Sequence, residues 1–251
     1  MSAAPPGGLI PIAGKPVSRL GLGTMRLTGP DIWGWPEDFA TATRVLREAV
    51  HVHGITHIDT ADAYGPHTAE TLIHTALHPY PPELLLATKV GLTRPAPDVW
   101  RPLGHPEYLR TAVEASLRRL DVERLDLCYL HRVDPAVPLE DQVGELRALQ
   151  LAGKIGHIGL SKAGVDQIRA AEKEIVVAAV QNPLNSAEPN DPALGYCVRM
   201  EIPYVPYRPL NAGALPAPAA LTWLLNLAPH IAPIPGTSSP EHLRALVAAV
   251  R

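Results

Sequence analysis

Short apolar runs alternate along the chain with longer stretches in which apolar residues recur at helical spacing. Most of the runs are continuous apolar blocks, which is typical of strands buried on both faces of a parallel sheet. Eight of these runs predict eight strands, at residues 17–24, 56–61, 84–89, 125–131, 154–161, 175–181, 202–207 and 230–235.

The stretches between the runs predict amphipathic helices, because their apolar residues fall on one stripe of a helical surface. Two of them begin with a proline at or near the first helical position. Proline is tolerated there because an N–H group at this position makes no hydrogen bond within the helix. The predicted helices cover residues 39–53, a segment that opens at 106, and residues 139–152, 165–174, 219–227 and 240–250.

Strand–helix units that repeat over about 235 residues have the size and order of a (β/α)8 barrel, the TIM barrel of the α/β class. An open, doubly wound sheet is the alternative, but that fold carries a glycine-rich phosphate turn after an early strand. The sequence contains neither GxGxxG nor a P-loop motif. We therefore predict a closed barrel.

Two local features modify this barrel. Residues 9–16 have the pattern of a short N-terminal hairpin, which we expect to close the bottom of the barrel. Few residues separate Tyr207 from Trp223, so the seventh β/α unit is predicted to be shortened. No shift in composition marks a linker, and we expect one domain over residues 1–251.

Composition and charge exclude several classes of function. With 22 basic and 25 acidic side chains the net charge is −3, so the chain lacks the excess of positive charge that is typical of proteins that bind nucleic acid. The longest stretch without charged residues, 209–240, is interrupted by seven prolines, so no membrane span is predicted. Residues 1–8 lack the pattern of a secretory signal. Two cysteines, Cys128 and Cys197, are too few for a disulfide scaffold and favour the cytoplasm.

Four polar residues stand at or just after the ends of three predicted strands, where a barrel of this type places its catalytic groups. Asp59 and Tyr64 follow the second strand, Lys89 ends the third and His131 ends the fourth. A lysine ammonium lowers the pKa of a nearby phenol, an aspartate balances the ammonium, and a neutral imidazole orients a carbonyl oxygen. Each residue alone has an ordinary structural interpretation, but the set predicts a proton donor beside a polarised carbonyl, with hydride supplied by a cofactor.

Seven segments of the chain resemble those of the aldo-keto reductases, which are (β/α)8 enzymes that bind NADP(H) without a Rossmann turn. The resemblance extends over nearly the whole chain. Its segments are GLGTMRL (21–27), HIDTADAYG (57–65), LATKVGL (86–92), YLHRVD (129–134), GKIGHIGLS (153–161), VQN (180–182) and IPGTSSPEHL (234–243).

The resemblance implies an NADPH-dependent oxidoreductase that reduces an aldehyde or ketone to an alcohol by hydride transfer. It makes Tyr64 the proton donor, Asp59 and Lys89 the pair that tunes it, and His131 the group that orients the carbonyl. Small-molecule carbonyl compounds are the implied partners. The implied cofactor-binding residues are Gly23, Thr24, Met25, Asp59, Ser161, Lys162, Gln181, Tyr207, Arg208, Pro209, Leu210, Gly236, Thr237, Ser238 and His242.

The chain departs from the family pattern at three places. Lys162 stands where relatives often have an asparagine that helps to hold the nicotinamide carboxamide. His242, a pH-dependent cation, stands at the position of the arginine near the 2′-phosphate. Ala245 and Leu246 replace a common Glu-Asn pair, which removes an expected contact to adenine.

Aromatic residues in the loops after the first and third strands are expected to form walls of the substrate pocket. Trp33, Trp35 and Trp100 supply indole faces, and Arg132 lies beside the catalytic histidine. With a shortened seventh unit, these walls predict a wide pocket for a bulky or cyclic carbonyl compound. The alternative is that a second subunit covers this face.

Two groups of histidines raise the question of a metal. His51, His53 and His57 form the first group, and the second consists of His67, His74 and His78. The step from 74 to 78 places two imidazoles on one helical face, but neither group has a carboxylate or cysteine at ligand spacing. We therefore predict no metal site.

Two other functions are compatible with these residues. The first is that of a relative that acts on an imine or a ring-closing substrate in a specialised pathway. The second is that of a non-catalytic subunit that binds the cofactor. The intact set of four polar residues argues against the second, because a binding module has no need for all four.

Overall fold

A curled sheet of six parallel strands forms the centre of the structure, a computed structural model that describes residues 4–251. The expectation about a secretory signal falls partly on residues 1–3, which lie outside this range. The six strands stand in the order β10-β9-β8-β5-β4-β3. The strands of the chain are β1 Leu9–Ile12, β2 Lys15–Ser18, β3 Leu22–Gly23, β4 His57–Asp59, β5 Leu85–Val90, β6 Leu92–Ala96, β7 Val99–Pro102, β8 Leu125–Leu130, β9 Ile155–Ser161 and β10 Val177–Gln181.

The seventh and eighth predicted strands close the sheet into a barrel through isolated parallel bridges. Tyr204 pairs with Val180 on one side and with Ile231 on the other, and Gly23 pairs with Gly236. Prolines at 203, 206, 233 and 235 have no N–H to donate, so regular ladders cannot extend through these segments. The predicted (β/α)8 barrel is confirmed, but its seventh and eighth strands are reduced to isolated bridges. Of the predicted first strand, 17–24, only Leu22–Gly23 pairs within the barrel, because Val17 and Ser18 belong to β2 of the hairpin.

Eight α-helices surround this barrel in the described residues. The prediction lacked α6, because its segment is rich in proline, asparagine and aspartate and has the composition of a loop. It also placed no separate helix at α2, and the first predicted helix continues beyond α1 as a π-helix, Glu48–Val52. The helices are α1 Phe39–Arg47, α2 Thr68–Leu77, α3 Pro106–Leu120, α4 Leu139–Leu151, α5 Val165–Ala171, α6 Pro192–Arg199, α7 Ala217–Leu227 and α8 Pro240–Ala248.

Two hairpins lie at opposite ends of the barrel. The predicted N-terminal hairpin, β1–β2, is at the end where strands begin, since Lys15 Nζ donates to Leu84 O at 2.7 Å and to Asp126 Oδ2 at 2.9 Å. The second hairpin, β6–β7, lies in the segment that was expected to be a plain loop after the third strand. It therefore extends from the end of the barrel where strands finish.

The inside of the barrel is filled by side chains around Tyr129. Its ring is fully buried among Leu85, Leu127 and Ala179. A Cβ at Gly159 would lie 2.4 Å from the ring carbon Cδ1 of Tyr129, so only glycine leaves room for this ring. Helices pack on the outer face of the sheet in a second, larger core. Among the helices of residues 4–251, none has the length and apolar character needed to cross a membrane.

Candidate active site

Four polar side chains meet at one end of the barrel. Asp59 ends β4, Lys89 lies near the end of β5 and His131 follows β8, and these three strands are neighbours in the sheet. Tyr64 comes from the turn between β4 and α2. All four side chains are buried, and Asp59 and Lys89 are each only 1% exposed.

The ammonium of Lys89 has three hydrogen-bond acceptors. Its Nζ donates to Asp59 Oδ1 at 2.5 Å, to Thr60 O at 2.7 Å and to the phenol oxygen of Tyr64 at 3.2 Å. Because an ammonium has three N–H groups, its donors are all used. The phenol oxygen of Tyr64 accepts a hydrogen bond from Lys89. The O–H of the phenol therefore remains free to donate to another acceptor.

Burial decides the ionisation of this group. It raises the pKa of the Tyr64 phenol above its ordinary value, and the ammonium of Lys89 only partly opposes this effect. The sequence-based expectation of a lowered phenol pKa is therefore wrong, because it considered the charge and not the desolvation. Burial also opposes the charged form of Lys89, yet Asp59 and Tyr64 together hold the pKa of its ammonium above the ordinary value. At neutral pH the group consists of a phenol and an ammonium.

His131 stands edge-on to Tyr64, with ring centroids 5.8 Å apart and planes at 83°. Burial, and then the positive charges of Lys89 and Arg132, keep the pKa of its imidazole well below the ordinary value. Its Nδ1 is buried and has no hydrogen-bond partner among residues 4–251. A neutral imidazole carries a single N–H, which is the form suited to orienting a carbonyl oxygen.

Three further residues surround the four. Gln181, at the end of β10, donates from Nε2 to the second carboxylate oxygen of Asp59 at 2.7 Å. Arg132 donates from Nη1 to His131 O at 2.6 Å and to Ser161 Oγ at 3.3 Å. The carboxylate of Asp59 thus has a partner on each oxygen, and Arg132 connects the ends of β8 and β9.

The expected cofactor residues on β3 and before α8 lie side by side. The backbone of Gly23 pairs with Gly236, and a Cβ at Gly236 would lie 3.0 Å from Gly23 O. Thr24 donates to Asp59 O from both its N–H, at 2.9 Å, and its hydroxyl, at 3.0 Å. Met25 packs against the small cluster around Tyr64. The end of β3 therefore connects Asp59 to the turn before α8.

This turn is shaped by its own hydroxyls. Thr237 Oγ1 accepts from Ser239 N at 3.1 Å, and Ser239 Oγ caps α8 by accepting from His242 N at 3.2 Å. Ser238 and His242 are exposed at the start of the helix. Glu241 is not among the residues predicted from the sequence; its carboxylate accepts from Ser239 Oγ at 2.9 Å and pairs with Arg244 at 2.9 Å.

Arg26 is a second residue that the sequence analysis missed. It follows Met25 directly, and its Cγ lies 3.5 Å from the Cβ position of Gly236. The side chain is exposed and has no carboxylate partner in the part of the chain that the structure describes. Arg26 brings a free positive charge to the edge of the turn before α8. Its position within the segment GLGTMRL could have identified it from the sequence as a candidate contact of the cofactor.

The other expected cofactor residues have different surroundings. Tyr207 is half-buried, Arg208 is exposed with φ +54°, and Pro209 is buried. Leu210 packs against the main core, so it supports the segment from inside. Lys162 is exposed in a left-handed conformation with φ +53°, which asparagine adopts more readily than lysine.

Two of the three predicted pocket tryptophans are held by an arginine. The guanidinium carbon of Arg94 lies 3.7 Å from the ring centroid of Trp100 and 5.5 Å from that of Trp33. Arg94 also donates to Asp31 O at 3.0 Å and to Ile32 O at 3.1 Å, and it contacts Pro97 O. These contacts join β6–β7 to the loop before α1. We call Trp33, Arg94 and Trp100 the aromatic rim.

The aromatic rim borders the four buried polar side chains, because the backbone of Trp33 pairs with Gly65, next to Tyr64. Trp35 is not part of it. Its indole is half exposed and packs on Phe39 at 5.8 Å between ring centroids. The structure therefore brings two of the three tryptophans together and places the third at the start of α1.

A parallel barrel with a buried lysine, aspartate, tyrosine and histidine at its carboxyl end defines a class of barrel oxidoreductases, and comparisons with known proteins agree. The model of the aldo/keto reductase family matches residues 19–218. The chain belongs to this family and is an oxidoreductase.

Individual relatives cover most of the chain. It is 40% identical to an uncharacterized oxidoreductase of Schizosaccharomyces pombe, over 96% of this chain and 84% of the relative. It is 38% identical to pyridoxine 4-dehydrogenase of Escherichia coli, over 94% and 90%. The structure of the glycerol dehydrogenase from Gluconobacter oxydans superimposes with a TM-score of 0.88 at 26% identity, covering 98% of this chain and 90% of that one.

Proposed function

We propose that the protein reduces an aldehyde or ketone to an alcohol with NADPH, and that Tyr64 donates the proton. The observation that carries this proposal is the full use of the Lys89 donors by Asp59, Thr60 and Tyr64. This arrangement leaves the phenol proton available, and it places a positive charge 3.2 Å from the oxygen that becomes negative when the proton leaves.

Each residue has one role in the reaction. His131 donates its N–H to the carbonyl oxygen and orients it toward Tyr64. NADPH, when bound, would supply the hydride that reduces the carbonyl carbon. Tyr64 gives its proton to the carbonyl oxygen, and the resulting phenolate is stabilised by Lys89 until it regains a proton from water. Asp59 keeps Lys89 charged and in place.

The residues around the site fit a dinucleotide. Ser161 and Gln181 offer a hydroxyl and an amide at neighbouring strand ends, and the half-exposed ring of Tyr207 is available for stacking. Exposed Ser238 and His242 lie at a helix N-terminus, which is a favourable place for a phosphate. Arg26 adds a free cation next to them. Glu241 carries the opposite charge in the same turn, so we expect NADPH to bind better than NADH by a modest margin.

The aromatic rim and Arg132 favour a flat or bulky substrate with some negative character. The relative named for the dehydrogenation of pyridoxine at position 4 supports an aromatic aldehyde as a test substrate. We expect the short segment between Tyr207 and α7 to leave this side of the mouth open for such compounds. Both cysteines are buried as free thiols, which supports a location in the reducing cytoplasm.

The test is steady-state oxidation of NADPH against a panel of aromatic aldehydes, polycyclic ketones, small aldehydes and cyclic imines. We expect turnover with aromatic or polycyclic carbonyl compounds, and kcat lower by at least about 10²-fold in Tyr64→Phe. If the protein turned over only the cyclic imines, the proposed function would change from carbonyl reduction to imine reduction. Tight NADPH binding without turnover on any member would indicate a non-catalytic subunit.

A further inference from the structure

We propose that His74, His78 and Asp121 form a binding site for a divalent late transition metal such as Zn²⁺, on the outside of the barrel. Each contributes one ligand atom, and the three atoms lie within 4.8 Å of one another. The site is separate from the proposed reductase chemistry and does not depend on it.

The separations suit a metal better than a direct contact. His74 Nε2 and His78 Nε2 each lie 3.7 Å from Asp121 Oδ2, which is longer than a hydrogen bond. Ligands about 2.1 Å from a tetrahedral ion stand roughly 3.4 Å apart, so a small inward movement of three side chains completes the geometry. The carboxylate therefore stands between two imidazoles at a spacing that an ion would fill.

The backbone holds the two histidines in place. They are one helical turn apart at the end of α2, where His78 N donates to His74 O at 3.0 Å. Their rings lie side by side, with centroids 4.9 Å apart and planes tilted by 34°. His67, which the sequence analysis grouped with them, lies before the first turn of α2 and takes no part.

The third ligand comes from the next helix. Asp121 follows α3 in a left-handed conformation, φ +53° and ψ +53°, which aspartate tolerates. Tyr80 fixes the distance between the two helix ends, because its ring packs edge-on to His78 at 5.4 Å and its hydroxyl donates to Leu120 O at 2.7 Å. No carboxylate ligand for these histidines is predicted from the sequence, but the fold brings Asp121 to them.

The donor set selects the ion. Two imidazole nitrogens and one carboxylate oxygen suit Zn²⁺, Co²⁺, Ni²⁺ or Cu²⁺, whereas Mg²⁺ and Ca²⁺ prefer oxygen ligands only. The side chains of His74 and His78 are 36% and 38% exposed, so an ion can reach them from solvent. His74 and His78 lie before the start of β5 and Asp121 lies before the start of β8, whereas Lys89 lies near the far end of β5. The effect of the metal site is to connect α2 to α3, not to take part in catalysis.

The experiment uses the full chain without an affinity tag, stripped of metal, and measures zinc binding by calorimetry and thermal unfolding. We expect one Zn²⁺ per chain, and a rise in Tm of roughly 5–10 °C at free zinc about a hundred times the Kd. Mg²⁺ at the same concentration should give no rise. The kcat/KM of carbonyl reduction should be the same in the stripped and the zinc-loaded protein.

Three variants locate the ion. His74→Gln, His78→Gln and Asp121→Asn should each weaken zinc binding by at least about 10-fold, the lower bound known for metal sites whose outer-shell partners are removed. His51→Gln removes an exposed histidine elsewhere and should bind zinc like the parent. Each variant is compared with itself without zinc, so a change in basal stability does not mimic the result. No stoichiometric binding, or unchanged affinity in all three variants, would overturn the proposal.

Discussion

Gln181 and Asp59 are joined by a hydrogen bond of 2.7 Å from Nε2 to Oδ2. Gln181 is a proposed contact of the nicotinamide amide, and Asp59 is the partner of the lysine that contacts the proposed proton donor. One short bond therefore connects the cofactor side of the site to its acid–base side. It also satisfies a carboxylate that is 1% exposed and would be costly to leave unpaired.

Tyr64→Phe removes the phenol oxygen and leaves the ring. We expect kcat for carbonyl reduction to fall by at least about 10²-fold, the low end of the contribution of a positioned acid. The Kd of NADPH, measured by fluorescence titration, should stay within a factor of about two, because no cofactor contact is assigned to the phenol. Tyr108→Phe, a half-buried tyrosine on α3, is the matched control. Comparable turnover in the two variants would remove Tyr64 from its role.

Lys89→Met, alone and together with Asp59→Asn, distinguishes the contribution of the Lys89–Asp59 ion pair to protein stability from its contribution to activity. The single variant leaves Asp59 buried without its cation, so the free energy of unfolding should fall by about 3–5 kcal/mol. Adding Asp59→Asn removes the unpaired charge and should recover most of this loss. Activity should stay low in both variants, because neither has an ammonium beside Tyr64. If the double variant regained activity together with stability, the charge on Lys89 would have no part in the reaction.

Arg26→Gln tests the cation that the sequence analysis missed. We expect the Kd of NADPH to rise by roughly 5-fold or more, since a charge-assisted hydrogen bond is lost. Titration with NADH identifies the phosphate concerned. A change for NADPH alone indicates the 2′-phosphate, and an equal change for both indicates the pyrophosphate. Arg199→Gln, on the exposed end of α6, is the control, and unchanged affinity in Arg26→Gln would exclude a contact.

The aromatic rim should determine substrate size. Trp100→Ala removes one face of the stack on Arg94, and we expect kcat/KM for a polycyclic ketone to fall by at least about 5-fold, in line with the loss of aromatic packing. A small aldehyde should be affected much less, because it does not reach the rim. Trp35→Ala, which lies outside the rim, is the comparison. Equal effects of both variants on both substrates would show that the rim has no part in specificity.

His57 should make the protein less stable in mild acid. Burial lowers the pKa of its imidazole to about 4, and neither ring nitrogen has a hydrogen-bond partner among residues 4–251. Between pH ~6.5 and the folded-state pKa, the unfolded chain binds a proton that the folded chain excludes, so the free energy of unfolding falls as pH falls. For this residue the loss from pH 8 to pH 5 is roughly 2 kcal/mol.

Urea denaturation of His57→Leu at the two pH values measures this contribution. The difference in the free energy of unfolding between pH 8 and pH 5 should shrink relative to the parent, while His51→Gln should leave it unchanged. The buried His131 supplies a further share in both proteins, because burial lowers its pKa as well. An undiminished difference in His57→Leu would show that this imidazole is not protonated on unfolding.

The sequence by itself determined the barrel and indicated which four polar residues would meet at one end of it. Periodicity is a local property, so apolar runs and helical stripes predicted the repeating units. Strand ends in a parallel barrel meet at one face, and residues as distant as Asp59, Lys89 and His131 could be expected together from the sequence alone. The prediction of helices and strands from the sequence failed at α6, where the local composition is that of a loop. It also failed where prolines reduce two strands to isolated bridges.

Only the tertiary structure decided the ionisation of Tyr64, because desolvation depends on what surrounds the phenol and not on its neighbours in the chain. It also decided which side chains lie close together. The guanidinium of Arg94 lies over the rings of Trp33 and Trp100, Arg26 reaches the turn before α8, and Asp121 lies 3.7 Å from two histidines of another helix. Such contacts join residues that are far apart in sequence, and no spacing rule encodes them because they are set by how helices and loops pack around the barrel.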